Sequence, residues 1–293
     1  MDSLPQPTDK GHSPDGYIPA VFVYYPLPYR DPGTSFSKTI RNITLVLTSR
    51  IGCPYGKTGR SVLALLATQA LRNDPPSPVV PLGRISDTFP KLSLVASGGE
   101  RGSITAVTTQ IHRIANSHVD LVAPKESSVK EVHFNFVRQD ELYWQLDRSQ
   151  EREGGATSTP PAKVVDPRDS YLELAPDFYA YLLDHAVPIL LGPYLSIQSP
   201  RGQDFFAWIV RRLWNLAAET LVSWESLYEQ FGPIDRRHKP DFRNEVTDYL
   251  ADICTNIYPA AKVTIKDEGL LLGPSPPLVE PSEKKGKDTG YIP

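Results

Sequence analysis

The chain has 293 residues, 40% hydrophobic and 22% charged, which is ordinary for a globular protein with material for one large or two modest domains. Its net charge of −3 at pH 7 argues against a nucleic-acid-binding protein that is basic over its whole surface, but it permits a local basic face. The sequence has no run of about 18 apolar residues, no signal-peptide pattern and no cysteine pair with metal-ligand spacing. We therefore expect no membrane segment and a reducing, cytoplasmic location.

The two ends of the chain are rich in proline and lack hydrophobic periodicity. Residues 1–20 combine Pro, Gly and Asp, and residues 274–293 join the segment PSPPLVEP to a charge run. Such segments bury too little apolar surface to offset the entropy of ordering. We expect disordered tails at 1–20 and 274–293, with ordered domains between them.

Residues 21–198 predict a first domain that contains several helices. RNITLVLT at 41–48 is typical of a strand, 60–72 is typical of a helix, and 82–94 predicts a helix weakened by Pro90. A further helix begins near Ser103 and carries an apolar stripe. The opposite side of that helix, with its entry, carries the polar residues Arg101, Thr105, Thr109, His112, Arg113 and Asn116.

An antiparallel hairpin with a long connection is predicted next. VHFNFV and ELYWQL are typical of strands, and RQD between them is turn-like. Residues 148–168 form a hydrophilic Gly/Ser/Thr/Pro stretch, after which YLELA resumes as a strand. This pattern predicts a wing with a mobile tip at 148–168.

Residues 199–273 predict a second domain with the same order of elements. An amphipathic helix is followed by a short helix, for which Ser223 is the expected N-cap and Gly232 the stop. A basic turn, RRHK at 236–239, leads into Pro240 at the start of a long helix. AKVTIKDEGLLLG then predicts a hairpin that has Lys262, Thr264 and Lys266 on one face.

Helices followed by a basic hairpin are the components of a winged helix-turn-helix, which places one helix in the DNA major groove and a wing beside it. Both halves share this order. We therefore predict an α+β, mainly helical fold of two tandem winged helix-turn-helix domains, at 21–198 and 199–273.

The polar side chains of these elements suggest how DNA is contacted. Arg and Asn read base edges bidentately, whereas Lys and Ser/Thr mostly contact phosphate. In the second domain we expect phosphate contacts from Arg236, Arg237, Lys239, Lys262 and Lys266, and base contacts from Arg243 and Asn244, with Thr247 on the same face. In the first domain Thr109, His112 and Arg113 are expected to read bases, with Arg101, Thr105 and Asn116 beside them.

Enzymatic alternatives have weaker support. GCPYGKT at 52–58 has three residues between its first glycine and the Gly-Lys pair, where a P-loop needs four, and Pro54 removes a backbone donor. The six histidines show no HExxH spacing. We expect no enzyme activity, no metal and no cofactor. A nucleotide hydrolase at 52–58 and a protein–protein adaptor that binds no DNA remain the alternatives from other classes.

Several segments in one order resemble the plasmid-encoded RepA family of replication initiator proteins. In the first half they are YPLPYRDPGT, IGCPYGKTGRSVLALLATQALR and LGRISDTFPKLSLVASGGERGSI. In the second half they are DFFAWIVRRLW, LVSWESLYEQFG, DFRNEVTDYLADI and EGLLLGPSPP. The resemblance covers roughly residues 24–277, and by position the family's DNA-reading helices match 103–116 and 240–258.

The resemblance implies a bacterial initiator built of two winged-helix domains. Such a protein binds repeated double-stranded sites at the plasmid origin and recruits host replication proteins such as the host initiator and helicase. It also implies that a homodimeric form represses the protein's own gene. A plain transcriptional repressor, which binds one operator and leaves origin DNA closed, is the alternative within the same class.

Overall fold

A computed structural model describes residues 12–124, 131–142, 167–232 and 239–280 of the chain. Helices and antiparallel sheets are both prominent in these ranges, so the predicted α+β class is confirmed. The helices of the described residues, in chain order, are α1 (Ala20–Tyr24), α2 (Gly56–Arg72), α3 (Ile85–Thr88), α4 (Ser103–Ala115), α5 (Pro176–His185), α6 (Leu191–Ser196), α7 (Pro200–Leu213), α8 (Trp224–Phe231) and α9 (Lys239–Asp252). None of them is long and apolar enough to cross a membrane.

The strands of the described residues form four separate sheets. Their bounds are β1 (Gly16–Pro19), β2 (Ser35–Ile40), β3 (Ile43–Ser49), β4 (Val79–Pro81), β5 (Ser117–Val122), β6 (Val132–Asn135), β7 (Val137–Glu141), β8 (Tyr171–Leu174), β9 (Ala186–Ile189), β10 (Thr220–Ser223), β11 (Lys262–Ile265) and β12 (Gly269–Gly273). The sheet orders are β2-β3-β5-β6, β4-β8-β7, β1-β9 and β10-β12-β11. Every pairing within these sheets is antiparallel.

The first half is built around α2 and the four-stranded sheet. Strand β3 alternates, with Ile43, Leu45 and Leu47 buried and the residues between them half-exposed, as expected for a sheet with one face on the core. Helix α2 is buried along most of its length because its sequence from Val62 to Ala70 is almost wholly apolar. The helix also begins earlier than the predicted residue 60, at Gly56.

Two predictions for the first half need correction. The helix predicted at 82–94 is broken into α3 and a 3-10 turn at Pro90–Leu92, since proline lacks the N–H that a continuous helix requires. The segment RQD lies inside β7 and not in a turn. The turn comes earlier, at the buried Phe136, where the chain passes from one sheet to another.

Of the predicted hairpin, YLELA is present as β8, but of the predicted strand ELYWQL only Glu141 takes part in the pairing, and residues 143–146 lie outside the described residues. Strand β7 pairs antiparallel with β8, from Val137 opposite Leu174 to Glu141 opposite Tyr171. Residues 148–166 of the predicted mobile tip lie outside the described residues, and Pro167–Asp169 forms a 3-10 turn before β8.

The second half runs helix, strand, helix, helix, hairpin. Ser223 caps α8 as predicted, since its hydroxyl accepts the Ser226 N–H at 3.1 Å, and the helix ends at Gly232. The predicted hairpin is β11–β12. Strand β10, which the sequence analysis did not identify, pairs with β12 and completes a three-stranded sheet. Helix α9 continues through a π-helical turn at Ile253–Ile257.

Both predicted tails are wrong in the parts that the structure describes. Strand β1 lies within the supposed tail and pairs with β9, and Leu278 and Val279 are buried against the second core. The two ends also meet, because the N–H of His12 donates to the Leu278 carbonyl at 2.9 Å. These segments have too few apolar residues to show periodicity and are ordered by distant partners. Residues 1–11 and 281–293 lie outside the described residues.

Two hydrophobic cores correspond broadly to the two halves. The second core nevertheless includes Ile18, Val23 and Ala64 from the first half, packed with α7 and α8. The predicted boundary between residues 198 and 199 therefore separates helices that are in direct contact, and the halves interlock.

Candidate nucleic-acid interface

The outward face of α9 combines exposed polar side chains with a firm hydrophobic anchor. Phe242, Val246 and Leu250 are buried at intervals of four residues, which fixes the rotation of the helix on the second core. On the other side Asn244 is exposed, and Arg243 and Thr247 are half-exposed. The helix therefore turns toward solvent the face that the sequence predicted.

Arg243 connects α9 to the tip of the hairpin. Its guanidinium lies 5.1 Å from the centre of the Trp224 ring, and Nη2 is 3.4 Å from both the Lys266 carbonyl and Asp267 Oδ1. The ion pair is weak, because the Asp267 side chain is 99% exposed. Trp224 Nε1 donates to the same Lys266 carbonyl at 3.1 Å. Arg243 is therefore oriented by an aromatic ring while 44% of its side chain remains exposed.

The hairpin carries two lysines, of which Lys266 lies at the tip that Arg243 contacts. Lys262 and Lys266 are exposed, and within the described part of the chain neither ammonium group has a hydrogen-bond or ion-pair partner. The Lys266 N–H donates to the Gly269 carbonyl at 2.8 Å and closes the turn. The cations are thus held by a short, closed hairpin that leaves their charges available to a polyanion.

Of the remaining DNA contacts predicted for the second half, one hydroxyl is already hydrogen-bonded and the other side chains lie outside the described residues. The Thr247 hydroxyl donates to the Arg243 carbonyl at 2.9 Å, so it offers an acceptor more readily than a donor. Arg236 and Arg237 lie outside the described residues, as does the side chain of Lys239, whose backbone begins α9.

Helix α4 carries the predicted polar face of the first half. Thr109 is exposed, His112 is half-exposed, and Arg101 is exposed in the turn that precedes the helix. The Thr105 hydroxyl donates to the Gly99 carbonyl at 2.8 Å and ties the first turn of the helix to that loop. The Asn116 side chain donates to the His112 carbonyl at 2.9 Å and so closes the C-terminal end of the helix.

Arg113 is occupied by contacts within the protein. It donates to Asp31 Oδ2 at 2.7 Å and to the Cys53 carbonyl at 3.1 Å, and its guanidinium lies 5.0 Å from the centre of the Tyr55 ring. The hydrogen bond with Asp31 raises the pKa of Arg113 and lowers that of the carboxyl. Only 15% of the side chain is exposed. The structure therefore places Arg113 in a structural role that its helical position did not reveal.

The glycine-lysine segment at 52–58 leads into α2. Backbone N–H groups of Cys53, Tyr55 and Gly56 donate to the Gly33 carbonyl, Gln110 Oε1 and the Pro28 carbonyl, at 2.8, 3.0 and 2.9 Å. A phosphate-binding nest needs such donors to be unoccupied. Lys57 Nζ donates to Gln198 Oε1 at 3.0 Å. Among the residues that the structure describes, no group of three or more His, Cys, Asp or Glu is arranged to hold a metal ion.

Comparisons with known proteins place the chain in a family. A family model described as "Plasmid encoded RepA protein" matches residues 53–226, more than half of the chain, from the loop before α2 to the first turn of α8. No protein with a curated description matches the chain.

Two crystal structures of RctB are among the solved structures that match the chain. The selenomethionine derivative of its domains 2 and 3 has a TM-score of 0.51 and 13% sequence identity, covering 87% of this chain and 98% of that chain. A second structure, of RctB domains 2-3 (155-483), has a TM-score of 0.46 and 12% identity, covering 87% and 96%. At such identity the likeness concerns the fold alone.

Proposed function

The chain belongs to the plasmid-encoded RepA family, and from this premise we propose that it initiates plasmid replication by binding repeated, sequence-specific double-stranded sites at the plasmid origin. Family membership supports a role as a plasmid replication initiator. The RctB-like fold is compatible with that role.

The observation that carries the proposal is a set of exposed or half-exposed cations, with one amide, on α9 and the β11–β12 hairpin, although the acids Asp248, Asp267 and Glu268 are exposed on the same elements. Arg243, Asn244, Lys262 and Lys266 project from two adjacent elements that Trp224 holds together. An arginine and an asparagine suit base edges, and lysines suit phosphates. This local patch supplies the cations that the overall charge of −3 does not.

The order of elements from α7 to β12 supports a winged helix-turn-helix interpretation of the second half. Helix α7, strand β10, helices α8 and α9, and the β11–β12 hairpin follow one another as such a domain requires. In this interpretation α9 enters the major groove and the hairpin is the wing. Helix α4 is the corresponding helix of the first half, and the two helices enter successive major grooves on one face of the duplex.

Initiation then follows from the arrangement of bound copies on repeated sites. Several molecules bound side by side bend the DNA, and the bend favours opening of an adjacent A·T-rich stretch. We propose that the bound protein recruits the host initiator and helicase, that a homodimer represses its own gene, and that no enzymatic step on this chain is required.

Binding of the purified full chain to origin DNA tests the proposal. Affinity for a labelled origin fragment is measured against a scrambled duplex at several salt concentrations. We expect a large preference for the origin and a steep salt dependence, which is reduced in a Lys262→Ala/Lys266→Ala variant and in an Arg236→Ala/Arg237→Ala/Lys239→Ala variant. Equal, weak binding to both duplexes would contradict sequence-specific recognition.

Two further readouts separate this function from the alternatives. Permanganate reactivity of thymines beside the bound repeats reports opening, which a plain repressor does not produce. ATP turnover that is abolished by Lys57→Ala would instead support the nucleotide hydrolase.

A further inference from the structure

We propose that the buried ion pair between Arg60 and Asp204 sets the distance and rotation between the two DNA-contacting helices, and thereby selects the spacing of half-sites that the protein accepts. The inference rests on the proposed function, since it concerns how two helices of one molecule are matched to one DNA duplex. Arg60 and Asp204 are positioning residues in this account and touch no DNA.

The pair joins α2 of the first half to α7 of the second with defined geometry. Arg60 Nε lies 2.7 Å from Asp204 Oδ1, and Nη2 lies 2.7 Å from Oδ2. The two side chains are 3% and 5% exposed. A bidentate arginine–carboxylate pair constrains both distance and orientation, whereas apolar contacts constrain mainly distance.

Every donor of the Arg60 guanidinium is used. Besides the two bonds to Asp204, Nη1 donates to the Pro28 and Gly56 carbonyls at 3.2 and 2.9 Å, and Nη2 donates to the Leu27 carbonyl at 2.5 Å. These bonds match the five N–H groups of arginine. The guanidinium is therefore fixed in the first half by three carbonyls before it meets Asp204.

In the first half, hydrogen bonds connect the ion pair to α4 through the backbone of Tyr55 and Gly56. Gly56, whose carbonyl accepts from Arg60, follows Tyr55, and the Tyr55 N–H donates to Gln110 Oε1 at 3.0 Å. Arg113 packs over the Tyr55 ring from the same face of α4. A Cβ on Gly52 would lie 2.8 Å from the Arg113 guanidinium, so the loop and α4 are in close contact. Movement of α2 therefore carries α4 with it.

On the second-half side, the first turn of α7 connects the pair to α9. Arg201, one turn before Asp204, forms an ion pair with Glu245 and lies 5.8 Å from the centre of the Phe242 ring. The Ser199 and Tyr249 hydroxyls are 2.7 Å apart. Each of these partners belongs to α9. The described contacts thus run from α4 through Tyr55, Arg60, Asp204 and Arg201 to α9.

Stability alone does not require an ion pair at this place. Replacing a buried pair by apolar residues of similar volume is often neutral or stabilising, because both charges lose their hydration. The surrounding side chains already supply apolar contact between the halves, since Ala64 of α2 belongs to the same core cluster as Phe205 of α7. The ion pair adds a constraint that fixes the orientation of one half relative to the other.

The test is a spacing series with the full chain. Duplexes carry two half-sites from the origin separated by the native spacer or by spacers changed in one-base-pair steps up to five. For the wild-type protein, we expect a five-base-pair change, which moves one half-site to the opposite face, to weaken binding by about tenfold or more. In Arg60→Met/Asp204→Leu, we expect the penalty to fall severalfold while affinity for a single half-site stays the same.

Lys57→Ala is the matched control. It removes an exposed bond from α2 to Gln198, in the segment that leads into α7, without touching the buried pair, and we expect it to keep the wild-type spacing profile. Circular dichroism establishes that each variant is folded. If the double variant does not fold, Arg60→Lys, which keeps a charge opposite Asp204 but cannot form the bidentate contact, takes its place, with the same flattened profile expected.

The outcomes separate the two proposals. A folded variant with the wild-type spacing profile would overturn the positioning role and leave the proposed function standing. A wild-type protein that does not prefer origin DNA would instead overturn the proposed function itself.

Discussion

Helices α4 and α9 present similar polar stripes in sequence but use their arginines differently. Arg113 of α4 is 15% exposed and bonded to Asp31 and the Cys53 carbonyl, so its charge is already satisfied. Arg243 of α9 is 44% exposed, and among the described residues it contacts the Trp224 ring and, at 3.4 Å, two oxygen atoms of the hairpin tip. A cation on an outward stripe is therefore available for DNA when the acceptors beside it are distant and exposed, as at Arg243, and not when they are close, as at Arg113.

The largest expected effect on DNA affinity comes from a substitution in α9. Arg243→Ala removes an oriented guanidinium and should weaken binding to the specific site by about 1–3 kcal/mol, the range for one bidentate base contact. Fluorescence anisotropy with origin and scrambled duplexes measures the loss. Asp248→Ala, an exposed acid on the same helix, is the control and should not weaken binding. If Thr109→Ala or His112→Ala costs more than Arg243→Ala, the comparison between the helices is reversed.

The next largest effect concerns Arg113 of α4, for which we expect a loss of stability and not of DNA affinity. Arg113→Ala should lower the free energy of unfolding by about 1.5–3 kcal/mol, since partly buried hydrogen bonds to charged groups are lost. Urea denaturation monitored by circular dichroism measures this change. Asp31→Asn retains the bond from Arg113 to the Cys53 carbonyl and should cost less. An Arg113→Ala protein of wild-type stability with selective loss of origin binding would show that Arg113 reads bases.

The hairpin lysines should have a smaller and less specific effect. Lys262→Ala and Lys266→Ala should each reduce the slope of log affinity against log salt by about 1, with equal loss on origin and scrambled DNA. Thr264→Ala, exposed between them on the same strand, should leave the slope unchanged. A change in sequence preference without a change in slope would contradict phosphate contact.

The smallest expected effect is a pH dependence of the free energy of unfolding that arises in the first half. Asp120 Oδ1 lies 2.6 Å from His133 Nδ1 and 3.0 Å from His118 Nε2, on the β5–β6 pair. The hydrogen bond to Asp120 raises the pKa of His133. The resulting stability is fully present below the unfolded histidine pKa of about 6.5 and is lost as pH rises through the higher folded value.

Because His133 is half-exposed, this contribution should be below about 1 kcal/mol. Urea denaturation at pH 6 and pH 8.5 measures it, with His133→Gln as the comparison. We expect the variant to lose less stability than the wild-type protein between these pH values. An identical pH dependence in both proteins would show that Asp120 does not hold a protonated His133.

Local signals in the sequence predicted the elements that surround the candidate site. The helix at α9, the Ser223 cap and the β11–β12 hairpin each follow from residues within a few positions of one another. The outward positions of Arg243 and Asn244 follow from the same helical periodicity. These features needed no knowledge of distant partners.

Features that depend on distant partners were not predictable from such signals. Strand β1 is ordered by β9, about 170 residues later in the chain, and β10 is recognisable as a strand only through its pairing with β12. Arg60 and Asp204 are 144 positions apart, and the residues around each of them do not indicate its partner. The contact between Arg113 and Asp31 was unpredictable for the same reason, because the two residues are 82 positions apart.

Hydroxyl-radical footprinting of the wild-type protein on a single origin repeat tests most directly whether two helices of one molecule contact the duplex. We predict two protected patches on one face, about 10 base pairs apart, with the patch assigned to α9 lost in Arg243→Ala while the other persists. A single patch, or two patches that weaken equally in that variant, would contradict the claim that α4 and α9 contact separate parts of the duplex.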